Sequence, residues 1–161
     1  MDKLSHINEK GEAVMVDVSG KDITSRRAVS SGRINMSRAA FEAVMEDRAP
    51  KGDVLAAARI AGIMAVKRTS DIIPLCHPLP ITKCSVEFIP EPETCSIRAV
   101  CTAKTDGKTG IEMETLTGVS AALLTIYDMC KAIDRTMVIS DIAVLEKSGG
   151  RSGEYRRERD V

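Results

Sequence analysis

Aromatic side chains make up only 2% of these 161 residues: Phe41, Phe88, Tyr127 and Tyr155, with no tryptophan. The core must therefore be built from Val, Ile, Leu, Met, Ala and Cys, and a platform for stacking single-stranded bases lacks the residues to form it. Charge of one sign is missing too. Lys plus Arg number 23 and Asp plus Glu 23, so no overall field draws the chain to nucleic acid or an anionic membrane, although a local patch can still hold a small anion. No apolar run reaches the roughly 18 residues of a membrane span, and the N-terminus has no signal-peptide core. These absences point to a soluble, cytoplasmic protein with neither nucleic acid nor membrane as partner. The five cysteines (76, 84, 95, 101 and 130) include no Cys-x-x-Cys pair. That excludes a disulfide framework and a zinc ribbon and fits free thiols in a reducing compartment.

With 43% hydrophobic and 29% charged residues, the chain has the composition of one globular domain spanning residues 1–161. Residues 1–13 read as a mobile N-terminal arm and 148–161 as a mobile C-terminal tail. Between them, residues 14–18 form a short apolar run suited to an edge strand, and 28–36 a strand broken by Gly32. Ser37 is placed to cap an amphipathic helix over 38–48, closed by Pro50. Asp53 can cap a second helix over 54–66. Arg59 is its only charge, which predicts burial on nearly all sides. Three prolines in residues 74–80 exclude a helix and make a rigid loop. Cys84, Val86 and Phe88, then Ile97, Ala99, Cys101 and Ala103, alternate with polar residues as a half-buried hairpin. A long helix over 116–134 and a strand over 137–146 complete a βαββαβ order. This predicts an α+β, ferredoxin-like sandwich, an antiparallel sheet with helices packed on one face. A bare second face would favour oligomerisation.

Several residues could carry chemistry. Asp128 is the only charge between Leu116 and Cys130. Lys131, three positions on, shares its helical face and can pair with it, either as an exposed ion pair or in a partly apolar cleft. His77 sits in the stiff proline loop, which suits catalysis, although a structural histidine there is equally ordinary. Cys76-His77 lacks further ligands for a metal. Glu112 and Glu114 precede the long helix, where carboxylates suit the positive end of its dipole. Gly107-Lys108-Thr109 is no phosphate loop, because Thr102 stands where that motif needs glycine. Lys51, Lys67, Lys131 and Lys147, with Arg26 and Arg27, are each an ordinary surface cation, but together could assemble a phosphate site.

Taken together, Thr24-Ser25-Arg26-Arg27-Ala28, Lys51-Gly52-Asp53, Leu75-Cys76-His77-Pro78-Leu79, Gly110-Ile111-Glu112-Met113-Glu114, Tyr127-Asp128-Met129-Cys130-Lys131 and Lys147-Ser148-Gly149-Gly150 resemble the cyclic pyranopterin monophosphate synthase family of molybdenum cofactor biosynthesis. The likeness runs through almost the whole chain. It implies a lyase that converts a 3',8-cyclised dihydroguanosine 5'-triphosphate to cyclic pyranopterin monophosphate and diphosphate by acid/base catalysis, with no cofactor and no metal. It also implies Asp128, Lys131 and Lys51 as catalytic residues. Leu75, Cys76, His77, Met113 and Glu114 are implied as substrate contacts, with Arg26, Lys67, Glu112 and Lys147 lining the same pocket, and the assembly as a homohexamer, a trimer of dimers.

Acid/base side chains and ammonium groups suit a ring rearrangement that moves protons and neutralises phosphate oxygens. Asp128 favours Lys131 as a charged acid or phosphate partner, leaving Lys51 as the better candidate base. Glu114 and Asp128 lie fourteen positions apart, about 21 Å along an unbroken helix. One compact pocket could hardly hold both: either they flank opposite ends of a long triphosphate nucleotide, or the pocket combines segments from two subunits, and a site at a subunit interface is the expectation. The rival reading is a non-catalytic, nucleotide-sensing ferredoxin-like module, which would bind without turnover.

Overall fold

The computed structural model describes residues 6–151 and 153–158. Strand β1 (Thr24–Asn35) is followed by helices α1 (Arg38–Met45), α2 (Val54–Lys67) and the short α3 (Thr69–Ile72). Strands β2 (Ile81–Glu91) and β3 (Ser96–Gly107) form a hairpin, and helix α4 (Glu112–Cys130) leads to β4 (Val138–Ser148) and β5 (Tyr155–Arg156). Every pairing is antiparallel, in the order β2-β3-β1-β4-β5. The first four strands have the ferredoxin-like arrangement that the βαββαβ order predicts. Helices α2 and α4 pack on one face, over a core of small and aliphatic side chains including Ala58, Ala99, Cys101, Val119 and Leu123.

Two glycines bring these helices unusually close. A Cβ on Gly62 would lie 3.0 Å from the Gly118 carbonyl, and one on Gly118 only 2.7 Å from Val66 and 2.9 Å from Cys101. Gly32 does not break β1. A side chain there would strike Val119 and Leu123, so its lack of a Cβ is what lets α4 lie on the sheet.

Several boundaries differ from expectation for local reasons. Helix α1 stops at Met45 rather than at 48, because Asp47 takes a left-handed φ of 54° while the Arg48 and Asp47 amides return to the Ala43 and Val44 carbonyls at 2.8 and 3.3 Å. This is a Schellman closure, reached before Pro50. Helix α4 begins four residues early, so Glu112 and Glu114 occupy its first turn rather than preceding it. It also ends before 134, since the Asp134 carboxylate accepts from the Ser37 amide at 2.7 Å and from both the amide and hydroxyl of Thr136. Residues 14–18 join no strand. Residues 6–13 fold into a turn closed by a bridge between Ile7 and Ala13, while 1–5 of the expected arm lie outside the described residues. Within the tail, β5 pairs with Glu146 and Lys147; residues 152 and 159–161 lie outside the description. Finally, α2 is not buried all round: Ile60 is 62% exposed and Met64 41%, beside Leu124 of α4 at 60%.

Candidate active site

Apart from Lys67, the residues singled out from the sequence fall into two groups, gathered at opposite ends of α4. Around its first turn lies an open cavity of about 850 Å³. Leu75, Cys76 and His77 enter from the proline loop, Glu112, Met113 and Glu114 from α4, Arg26 from β1 and Lys147 from β4. The seat of α4 is fixed by a buried pair of hydroxyls. Thr115 donates its single hydrogen to the Glu112 carbonyl at 2.9 Å, so Ser30 of β1 must donate to Thr115 across 2.7 Å. No side chain caps the N-terminus of α4, which leaves its first amides beside the cavity without a capping oxygen.

The cavity's charges are held by specific partners. Arg26 donates through Nε to the Gly107 carbonyl at 2.9 Å, and Lys147 Nζ lies 2.9 Å from Glu112 Oε1. Gly149 and Gly150 turn over Ser25 and Arg26 with φ of 98° and 75°. Any side chain on Gly149 would collide with the Ser25 carbonyl, and one on Gly150 with the Arg26 guanidinium. Glu114 is only 4% exposed. Burial, with the charge of Glu112 adding to it, pushes its carboxyl up to about 7. Burial likewise raises the Cys76 thiol, helped by the negative charge of Glu114, so Cys76 stays a thiol and is a poor nucleophile. His77 Nε2 lies 2.8 Å from the Val16 carbonyl; a carbonyl only accepts, so this nitrogen carries the hydrogen and Nδ1 is left for other partners.

At the far end of α4 the Asp128 carboxylate joins two lysines. Lys131 Nζ is 2.7 Å from Oδ1 and Lys51 Nζ 2.7 Å from Oδ2. Lys51 also reaches the Asp128 carbonyl at 3.2 Å, tying the loop before α2 to the end of α4. Hydrogen bonds from Lys131 and Lys51, and then their charges, hold the Asp128 carboxyl down to about 2. The cluster is open to solvent, with Asp128 55% exposed. Lys131 was expected from helical spacing; Lys51 arrives from 77 positions away. Because the carboxylate is shared at equal distance, geometry gives no ground for assigning Lys51 and Lys131 different roles. Lys67 joins neither group: it is exposed at the end of α2, where its charge acts on the Cys84 thiol.

The cavity also contains residues that the sequence did not single out. Lys108 lines it, as does Thr24, whose covered hydroxyl has no hydrogen-bond partner among the described residues. Lys108 was passed over with the rejected phosphate motif, and Thr24 stood only at the head of the Thr24–Ala28 run, with no role of its own.

The fold is an α+β, ferredoxin-like sandwich bearing a cation-lined cavity with a neutralisable carboxyl and a separate lysine–aspartate–lysine cluster, groups chemically able to hold an anion and to move protons. The MoaC family model matches residues 15–150. The cyclic pyranopterin monophosphate synthase of Heliobacterium modesticaldum is 56% identical over 98% of this chain and 99% of its own length. Its namesake in Clostridium acetobutylicum is 57% identical over 95% of both chains, and that of Chloroflexus aggregans 51% identical over 100% of this chain and 98% of its own. The chain belongs to the MoaC family.

Proposed function

We propose that this chain is a lyase of molybdenum cofactor biosynthesis that converts a 3',8-cyclised dihydroguanosine 5'-triphosphate into cyclic pyranopterin monophosphate and diphosphate. The near full-length likeness to synthases of that name supports the reaction. The observation that carries the chemistry is Asp128 held between Lys51 and Lys131 at 2.7 Å each. A carboxyl with its pKa near 2 stays ionised at neutral pH, so Asp128 orients the amino groups of both lysines, which give protons as ammonium or take them as free amine. Glu114, near 7, is a cavity group that exchanges a proton around neutrality. Arg26 and Lys147 neutralise phosphate oxygens; Leu75, Cys76, His77, Glu112 and Met113 shape the contact with the purine-derived end. Lys67 serves only if another copy brings it in.

The two groups act together in a homohexamer, a trimer of dimers in the cytoplasm, where the lysine cluster of one copy completes the cavity of its neighbour. Two features support this. A helix of this length separates Glu114 from Asp128 by about 21 Å, and Ile60, Met64 and Leu124 leave apolar surface on the helical layer. Incubating the purified protein with the cyclised nucleotide, and following pterin and diphosphate together, tests the reaction. Stoichiometric release of both is expected; tight binding without release would establish the sensing module instead.

A further inference from the structure

Residues 14–22 run along the cavity as loop and turn, belonging to no strand of the sheet and lending it Val16, Val18, Lys21 and Asp22. Val16 and Val18 are half-buried and line the cavity, whereas Asp17, Ser19 and Gly20 face solvent. Among the described residues, two long-range side-chain hydrogen bonds hold the segment. His77 of the proline loop donates to the Val16 carbonyl at 2.8 Å, and Lys108 of the loop before α4 donates to the Ser19 carbonyl at 2.6 Å. Between them the segment has its own shape: the Asp17 carboxylate accepts from the Ser19 amide at 2.8 Å and hydroxyl at 2.6 Å, and the Lys21 amide closes a turn onto Val18. A stretch with so few anchors opens at low cost, independently of the sheet beneath it.

We propose that residues 14–22 are a cover over the cavity and that Lys108, with His77, is the latch that holds it shut, making Lys108 a positioning residue for nucleotide binding. Residues 16, 18, 21 and 22 lie on the rim of this open cavity, so lifting the cover widens the entry for a polyanion of triphosphate size and closing it excludes water. The half-buried valines form its inner surface. Lys108 donates to the Ser19 carbonyl, and its charge adds to the Ser19 hydrogen bonds that hold the Asp17 carboxyl below the usual carboxylate range, so it grips the segment at two points on the rim of the cavity.

This inference rests on the proposed function for its kinetic arm alone. Hydrogen exchange read by mass spectrometry, on the full chain without ligand, tests the latch directly in wild type, Lys108→Ala and Lys108→Arg. In the alanine variant, exchange at the Ser19 and Lys21 amides should rise about tenfold while peptides of β1 and β3 keep their rates, and arginine should restore most of the protection. With the cyclised nucleotide as substrate, Lys108→Ala should raise KM about fivefold or more and lower kcat by a smaller factor, with arginine again intermediate. Unchanged exchange in residues 14–22 would overturn the latch, and faster exchange with an unchanged KM would overturn the cover's part in binding. A wild-type protein inactive on that nucleotide would defeat the proposed reaction, while the exchange arm would still decide the latch.

Discussion

The two ends of α4 carry carboxylates that behave in opposite ways. At the N-terminal end Glu114 is buried in a cavity wall and is pushed up to about 7. At the C-terminal end Asp128 stands in solvent, touches two ammonium groups and is held down to about 2. Desolvation dominates in the first case, and hydrogen bonds and charge in the second. One acid is therefore able to change its protonation near neutral pH, and the other is a permanent anion. Environment, not residue type, divides the labour along a single helix.

Removing the permanent anion should have the largest effect. Asp128→Ala leaves two lysines without the group that orients them, and pterin formation should fall by about a thousandfold, the scale on which acid/base groups act. Its carboxylate is exposed, so circular dichroism and gel filtration should report an unchanged fold. A loss below tenfold would make the cluster a surface ion pair of the ordinary kind and leave the cavity as the whole site.

Next in size is a test of whether the ends belong to one site across two copies. Asp128→Ala and Glu114→Gln chains, each inactive or nearly so alone, are co-expressed or refolded together. If each site takes Asp128 from one copy and Glu114 from another, about a quarter of the sites in a random mixture regain both groups. Activity near that fraction is expected. Recovery no greater than the sum of the two variants would place both carboxylates of a working site in the same chain, and a different arrangement of substrate would be needed to span them.

Much of this contrast was legible in the residues. The alternation of Cys84, Val86 and Phe88 and of Ile97, Ala99 and Cys101 marks the hairpin, because one sheet face is buried and the other is not. Lys131 beside Asp128 follows from helical spacing. The start of α4 was obscured by Glu114, since a charged letter reads as solvent although this one is 4% exposed. The contact of Lys51 with Asp128 depends on how the loop before α2 returns to the end of α4, a tertiary event with no local signature. The apolar run of α2 signals burial without saying by what, and Ile60 shows that this chain alone does not supply the cover. Residues 14–18 had strand-like composition but pair with no strand of the sheet, and at Val16 the backbone is held by the His77 side chain of the proline loop instead.

The smallest effect should appear in stability rather than turnover, and it separates the two carboxylates most cleanly. In the unfolded chain Glu114 titrates near its ordinary 4.5, and in the folded protein near 7. Below 4.5 both states are protonated and burial of the group carries no ionic penalty. As pH rises to 7 the unfolded chain releases this proton first, and above 7 the folded protein holds a charge that the unfolded one leaves in water. Stability is therefore lost between those limits, to a total of about 3 kcal/mol. Glu114→Gln cannot ionise, so its stability relative to wild type should climb across the same window and level off near pH 8. Denaturant unfolding at pH 5 and pH 8 measures the difference. Asp128 has the reverse sign: its lowered pKa stabilises the folded state above about 4, and that contribution disappears as pH falls toward 2. Wild-type and Glu114→Gln curves that run parallel from pH 5 to 8 would show Glu114 to be an ordinary solvated acid, and would remove the contrast between the two ends of the helix.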